Sequence, residues 1–220
     1  MYKKISRITS VAIVVALFSS CASMSSMQTA RVTNQGEVAF GVGGGYVSTD
    51  IQLGEAETIE IAAPLMEVTA RYGITERLDV GAKLGIIGTA GLDAKYQFLG
   101  DRHSTLASSA GLGVYYLSLT SSSGDTESES SIVDLHIPVY LSVHPTDFFA
   151  FYAVPKFIVR RNNYSVNATS ETASSNWMGV TTGIRLGRKT GFFAEYSYFG
   201  TSSYDAPLGQ FMLGIGIGIN

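Results

Sequence analysis

Apolar side chains recur at every second position along most of the chain. From Phe211 to Ile219, the row Phe211, Leu213, Ile215, Ile217 and Ile219 alternates with Met212, Gly214, Gly216 and Gly218. Successive side chains of an extended strand point to opposite faces, so this stretch predicts a strand with one branched apolar face and one nearly bare face. The same alternation sets Met66, Val68, Ala70 and Tyr72 against Glu67, Thr69 and Arg71. It sets Leu78, Val80, Ala82 and Leu84 against Asp79, Gly81, Lys83 and Gly85, and Val133, Leu135, Ile137, Val139, Leu141 and Val143 against Asp134, His136, Pro138, Tyr140, Ser142 and His144. Helical period is absent. The predicted strands are 37–48, 64–72, 77–87, 91–99, 104–118, 131–144, 148–160, 176–187, 190–199 and 209–219. Their number is even, about ten, with eight possible.

The connections alternate as well. Those after the second, fourth, sixth and eighth strands are tight, and those after the first, fifth, seventh and ninth are longer. The third is the exception, closing through Gly88 to Ala90. Short turns on one rim and long loops on the other match an all-β, antiparallel up-and-down transmembrane β-barrel. Ile51, Leu53, Ile59 and Ile61 alternate around Gly54, so the first long connection reads as a hairpin projecting beyond the bilayer. Both chain ends are then expected on the short-turn, periplasmic rim.

Alternation alone does not say which face is outside, since a soluble sandwich or lipocalin-like barrel would bury the apolar rows. Two features decide for the membrane. Charged residues make up 15% of the chain, whereas a soluble surface holds roughly 25–35%. Aromatics in the apolar rows also gather near strand ends. Tyr72, Phe98, Phe149 and Phe192 fall at the short-turn rim, and Tyr46, Tyr116, Phe157, Tyr198 and Phe211 at the long-loop rim. Girdles of this kind are what two lipid interfaces select.

The amino terminus carries Lys3, Lys4 and Arg7, an apolar run from Ile8 to Phe18, and small residues after it. The run is well short of the ~20 residues of a membrane-spanning helix, so 1–20 reads as a secretory signal. Its removal leaves 12 basic against 18 acidic residues, a net charge near −6, and nucleic acid is not an expected partner. Cys21 is the only cysteine, which excludes an intrachain disulfide. Phe18-Ser19-Ser20-Cys21 resembles the lipobox of bacterial lipoproteins, and that resemblance implies acylation of Cys21. The alternative is cleavage after Ala22 at an A-x-A-like site. The domain reading is a signal peptide at 1–20, a lipidated end and Ser-, Thr- and Gln-rich tether at 21–36, and a barrel at 37–220. A lipid on Cys21 would then sit at the periplasmic side.

The stretches Arg71 to Gly81 and Leu92 to Phe98 resemble the strand-turn-strand units of bacterial outer-membrane β-barrel proteins. The resemblance implies insertion by the barrel-assembly machinery and contact with membrane lipid. The family commonly ends on an aromatic residue, and this chain ends Ile219-Asn220.

With the polar rows inside, Glu67, Asp79, Asp93, Asp134 and Glu195 share the lumen with Arg71, Lys83, Lys95, Lys156 and Arg185. Matching side-chain faces across the turn at Thr75 pairs Arg71 with Asp79 and Glu67 with Lys83. Asp134 comes within reach of Lys156 or Arg160, and Arg185 within reach of Glu195. The expected lumen is narrow and bridged rather than a wide pore. Gly41, Gly43 and Gly45 on the first strand and Gly214, Gly216 and Gly218 on the last become neighbours on closure. They serve either close packing of lumenal aromatics such as Tyr115, Tyr140 or Tyr152, or a slot for an acyl chain or small apolar ligand.

Asp134 and His136 share one face, and a carboxylate orienting an imidazole is part of a general-base apparatus. No matched nucleophile accompanies them, so no catalytic residue is assigned. No cofactor or metal is called for. The acidic outer connections, among them Asp50, Glu55, Glu57, Asp125 and Glu171, read as solvated. The sequence therefore points to an outer-membrane barrel with a structural or binding role in the cell envelope. The alternatives are a narrow porin-like pore or transporter and a lipid- or peptide-modifying enzyme.

Overall fold

The computed structural model describes residues 23–52, 58–86, 88–123, 126–166, 169–201 and 204–218. Cys21, Glu55, Glu57, Asp125 and the Ile219-Asn220 end lie outside them. The described residues form ten strands: β1 (Val38–Gln52), β2 (Thr58–Gly73), β3 (Leu78–Gly85), β4 (Thr89–Leu99), β5 (Leu106–Ser123), β6 (Thr126–Thr146), β7 (Phe149–Val166), β8 (Thr169–Leu186), β9 (Thr190–Thr201) and β10 (Tyr204–Ile217). Each strand pairs antiparallel with its neighbours in sequence, and β1 pairs with β10 to close the barrel. At that seam Gly41 faces Gly216 and Gly43 faces Gly214.

The apolar rows point outward. Val42, Val68, Leu84, Leu92, Leu112 and Ile215 are exposed, while the alternating Glu67, Lys95, Asp134 and Glu195 are each only 1% accessible. A soluble barrel would show the reverse, because leaving so much branched hydrocarbon in water forgoes ~25 cal/mol per Å² of burial. Tyr46 and Phe211 meet across the seam with ring centroids 5.9 Å apart. They sit at the long-loop level, where the upper girdle was expected.

Strand length is uneven around the barrel. β3 has 8 residues and β4 has 11, close to the ~9–11 that cross a bilayer. β5, β7 and β8 have 18 each and β6 has 21. The connections expected as long loops are largely strand, with Gln52 paired to Thr58, Ser123 to Thr126 and Val166 to Thr169. Above the bilayer both faces of a hairpin meet water, so the apolar row that marks a strand in sequence is no longer required there. At the opposite rim, turns are tight. Gly187 between β8 and β9 has φ +117, and a Cβ there would collide with the Thr190 carbonyl.

The amino-terminal stretch departs from expectation. Residues 23–33, read from sequence as a periplasmic tether, are buried along their whole length. The chain leaves β1 at the short-turn rim, where the Gly36 amide donates to the Gly73 carbonyl at 2.8 Å and the Gly73 amide to the Glu37 carbonyl at 3.1 Å. It then turns back and runs up the lumen. Ser23, the first described residue, therefore lies away from the short-turn rim.

Candidate functional site

Three of the wall ion pairs join strand to strand within the barrel. Arg71 bridges Asp79 at 2.6 Å and Asp93 at 2.7 Å, tying β2, β3 and β4 near the short-turn rim. Asp134 is held by Arg160, which donates from Nε at 2.8 Å and from Nη2 at 2.7 Å. Of the two partners proposed for Asp134 from sequence, register selects Arg160, which lies directly opposite it across β6 and β7.

The other wall charges, Arg185 apart, take partners on the amino-terminal segment. Glu67 accepts from the hydroxyls of Ser23 (2.5 Å) and Ser25, with Lys83 Nζ at 3.3 Å. Lys83 donates to the Ser25 carbonyl at 2.9 Å. Lys156 donates to the Met24 carbonyl, and Gln210 accepts the Met24 amide at 2.9 Å. Glu195 accepts the amides of Ser26 (3.0 Å) and Met27 (2.5 Å) and the Tyr152 hydroxyl (2.9 Å). Met27 has φ +44, and successive amides converging on one carboxylate around a left-handed residue form an anion-binding nest. Lys95 donates to the carbonyls of Thr29 (3.1 Å) and Arg31 (2.8 Å) and to the Gln28 side chain. Arg185 donates to the turn carbonyls of Gly187 and Arg188 at 2.7 and 2.6 Å.

Lower in the lumen the pattern continues, largely with uncharged groups. Ser142 accepts the Ala30 amide at 3.1 Å, and Ser109 donates to the Ala30 carbonyl. Gln97 accepts the Val32 amide at 3.1 Å, and Asp79 the Thr33 amide at 2.8 Å. Arg31 reaches the Ser104 carbonyl in the β4–β5 turn at 2.8 Å. These partners were not legible as partners in the sequence, because Gln97, Ser109, Ser142 and Gln210 occur in polar rows that predict only an inward direction.

The two large apolar side chains of the segment are methionines, and each has a seat. Met24 lies among Val47, Leu65, Ile158, Trp177, Phe199, Leu208 and Met212. Met27 crosses the glycine rows at the seam, where a Cβ at Gly43 or Gly214 would collide with its sulfur. Several other glycines face neighbours too. Gly45 lies against Met212, Gly91 and Gly113 against the Tyr115 ring, and Gly183 against Tyr152. Gly218 has φ +72 at the end of β10.

The space beside the middle of the segment is small. An enclosed cavity of about 20 Å³ lies between residues Ser25–Gln28 and the wall at Arg71, Lys83, Asp93, Tyr115 and His136, room for roughly one water. The His136 ring packs on Tyr115 at 4.5 Å between centroids, and its Nε2 is 3.7 Å from Asp134, beyond hydrogen-bond range. With both Asp134 oxygens engaged by Arg160, this pair is not arranged as a general base. His144 is bonded to Ser142 at 2.9 Å, and His103 lies exposed in the β4–β5 turn. Among the described residues no group of three His, Cys, Asp or Glu side chains could hold a metal ion.

A closed, even-stranded antiparallel barrel with a hydrocarbon exterior and a charged interior defines a transmembrane β-barrel of the bacterial outer-membrane type. Solved structures of similar fold include the protease OmpT from Escherichia coli, at 10% identity and a TM-score of 0.47 over 82% of this chain and 94% of that one. Neisserial surface protein A aligns at 11% identity and 0.44 over 82% and 96%. The translocator domain of the autotransporter NalP from Neisseria meningitidis aligns at 10% and 0.45 over 98% and 97%. These likenesses concern the fold alone. No protein-family model matches the chain, and no curated protein sequence does.

Proposed function

We propose that the protein is a closed component of the bacterial outer membrane, structural or binding in role, whose lumen is sealed by its own amino-terminal segment. The observation that carries this reading is the burial of residues 23–33 against the inner wall, with about one water's volume left beside them. In this reading the wall charges act in two ways. Arg71 with Asp79 and Asp93, and Arg160 with Asp134, brace strands against one another, while Glu67, Lys83, Lys95, Lys156 and Glu195 hold the segment. The glycine rows give the segment passage rather than offering a slot to an outside ligand. A finer feature of the same reading is an acyl group on Cys21, supported by Phe18-Ser19-Ser20-Cys21. Intact mass of the mature amino-terminal peptide checks it, with an acylated cysteine expected and an unmodified end beginning at Ser23 the contrary result.

Planar-bilayer recording tests the seal. The full chain is expected to be silent, and a variant lacking residues 23–33 to show discrete conductance steps. Steady conductance by the full chain would establish a pore or transporter instead. Silence of the deleted variant, with its barrel shown intact by circular dichroism, would mean that the wall alone closes the lumen.

A further inference from the structure

The segment is read through its backbone. The wall accepts the amides of Met24, Ser26, Met27, Ala30, Val32 and Thr33, and it donates to the carbonyls of Met24, Ser25, Thr29, Ala30 and Arg31. Each partner is a wall side chain, so the segment is not an added strand. Seven wall residues account for most of these bonds: Gln210, Lys156, Glu195, Lys83, Lys95, Gln97 and Asp79. Side chains contribute less, and apart from Met24, Met27, Gln28 and Arg31 they are small or β-branched. A lumen of alternating donors and acceptors aimed at main-chain groups is a track for an extended polypeptide.

The track has a direction. Thr33 is held by Asp79 and Arg31 by the β4–β5 turn, both toward the short-turn rim. Ser26 and Met27 lie at Glu195, and Met24 lies at Gln210, which pairs with Val47 beside the upper aromatics Tyr46 and Phe211. At up to about 3.3 Å per residue the segment can cover on the order of 30 Å. That is enough to traverse the ~25 Å apolar band of such a barrel.

From this path we infer that the barrel carries its own amino-terminal segment across the membrane, so that the chain leaves the lumen at Ser23 toward the long-loop, cell-surface rim. The inference rests on the segment occupying the lumen as described under the proposed function, and it adds a sidedness that a seal does not require. It also reverses the expectation that an amino-terminal anchor would lie at the periplasmic side.

An internal control for sidedness is built into the chain, because Lys189 is exposed in the β8–β9 turn at the opposite rim. An Ala22→Lys variant is treated in intact cells with a membrane-impermeant amine-reactive biotin ester, before and after outer-membrane permeabilisation, and the modified peptides are mapped by mass. Modification at position 22 is expected in intact cells, to at least ten times the extent seen at Lys189, with Lys189 reacting only after permeabilisation. Modification at position 22 only together with Lys189, or at neither stage, would overturn the inference. Bilayer recording of the same variant keeps the two readings apart. A silent variant labelled only after permeabilisation would leave the seal standing without the crossing. A conducting one would show that the segment had left the lumen, and both readings would fall for that variant. Ala22→Cys, a smaller substitution, then repeats the test with a membrane-impermeant maleimide, and its labelling before and after permeabilisation decides by the same criteria.

Discussion

Two sets of charges line one lumen and behave differently. The Arg71–Asp79–Asp93 and Arg160–Asp134 groups connect neighbouring strands and find their counter-charges within the wall, although Asp79 also accepts the Thr33 amide of the segment. Glu195, Lys95 and Lys156 find their hydrogen-bond partners largely on the amino-terminal segment. A charge withdrawn from water needs both a counter-charge and hydrogen bonds to offset its desolvation. The first set obtains both from neighbouring strands, whereas the second obtains most of its hydrogen bonds only when a separate piece of chain is in place. The inner wall therefore combines a brace that depends on pairing alone with a binding site that depends on an occupant.

Deleting residues 23–33 should break the comparison most severely. Water entering the vacated lumen replaces part of what is lost, yet each net hydrogen bond is still worth about 1 kcal/mol. A fall in melting temperature on the order of 10 °C is expected alongside the conductance steps, read by the heat-modified mobility of the barrel on gels. A synthetic peptide of residues 23–33 added to the deleted variant should restore both mobility and silence.

A smaller effect separates the two sets directly. Lys95→Met should destabilise the full chain by roughly 2–3 kcal/mol and the deleted variant by far less, since its main-chain partners are then already absent. Arg160→Met, which strands a buried carboxylate, should cost roughly 3–5 kcal/mol in both backgrounds. Equal coupling of the two substitutions to the deletion, measured by denaturant titration, would erase the distinction.

At the seam, Met27→Ala should cost about 2–3 kcal/mol through the void left over Gly43 and Gly214. Gly214→Leu should push the segment aside and give intermittent conductance without unfolding. If Gly214→Leu unfolds the barrel, the strands rather than Met27 demand the glycine there.

The smallest effect concerns Asp101 in the β4–β5 turn, outside the membrane. The His103 amide and then the Ser104 hydroxyl hold its carboxyl below the usual carboxylate range. Its stabilising contribution is therefore present above the unfolded-state pKa of ~3.9 and is lost as pH falls through the lower folded-state value. Asp101→Asn should flatten that acid limb in a melt series from pH 6 to 2 and leave the neutral-pH value almost unchanged.

The barrel itself was legible because period-2 rows are a local signal and a bilayer rewards only one way round. The face shared by Arg71, Asp79, Glu67 and Lys83 followed from period 2, but their register did not: β2 and β3 set Arg71 opposite Gly81 and Glu67 opposite Gly85, so Arg71 meets Asp79 and Glu67 meets Lys83 along diagonals. The extended hairpins were under-read, as in 119–131, where Ser, Thr and Glu carry no apolar row. The segment at 23–33 was missed for a related reason. It is held by its amides and carbonyls, which every residue possesses, so its side-chain sequence shows neither helical nor strand period. Its two methionines were the available hint, spaced among residues small enough for a narrow passage.

Met27 touches the first and the last strand at once, and this bears on the order in which the molecule is made. A cylinder that shuts on an empty bore would afterwards have to admit a chain past Arg31 and the Met24 seat. A cylinder that shuts around the chain meets no such obstacle, and the thioether bridging Gly43 and Gly214 helps bring the two edges into register. The segment then acts as a mandrel: joining of the edges and seating of the chain should occur in a single kinetic phase, and the last bond of the barrel is timed by its earliest residues.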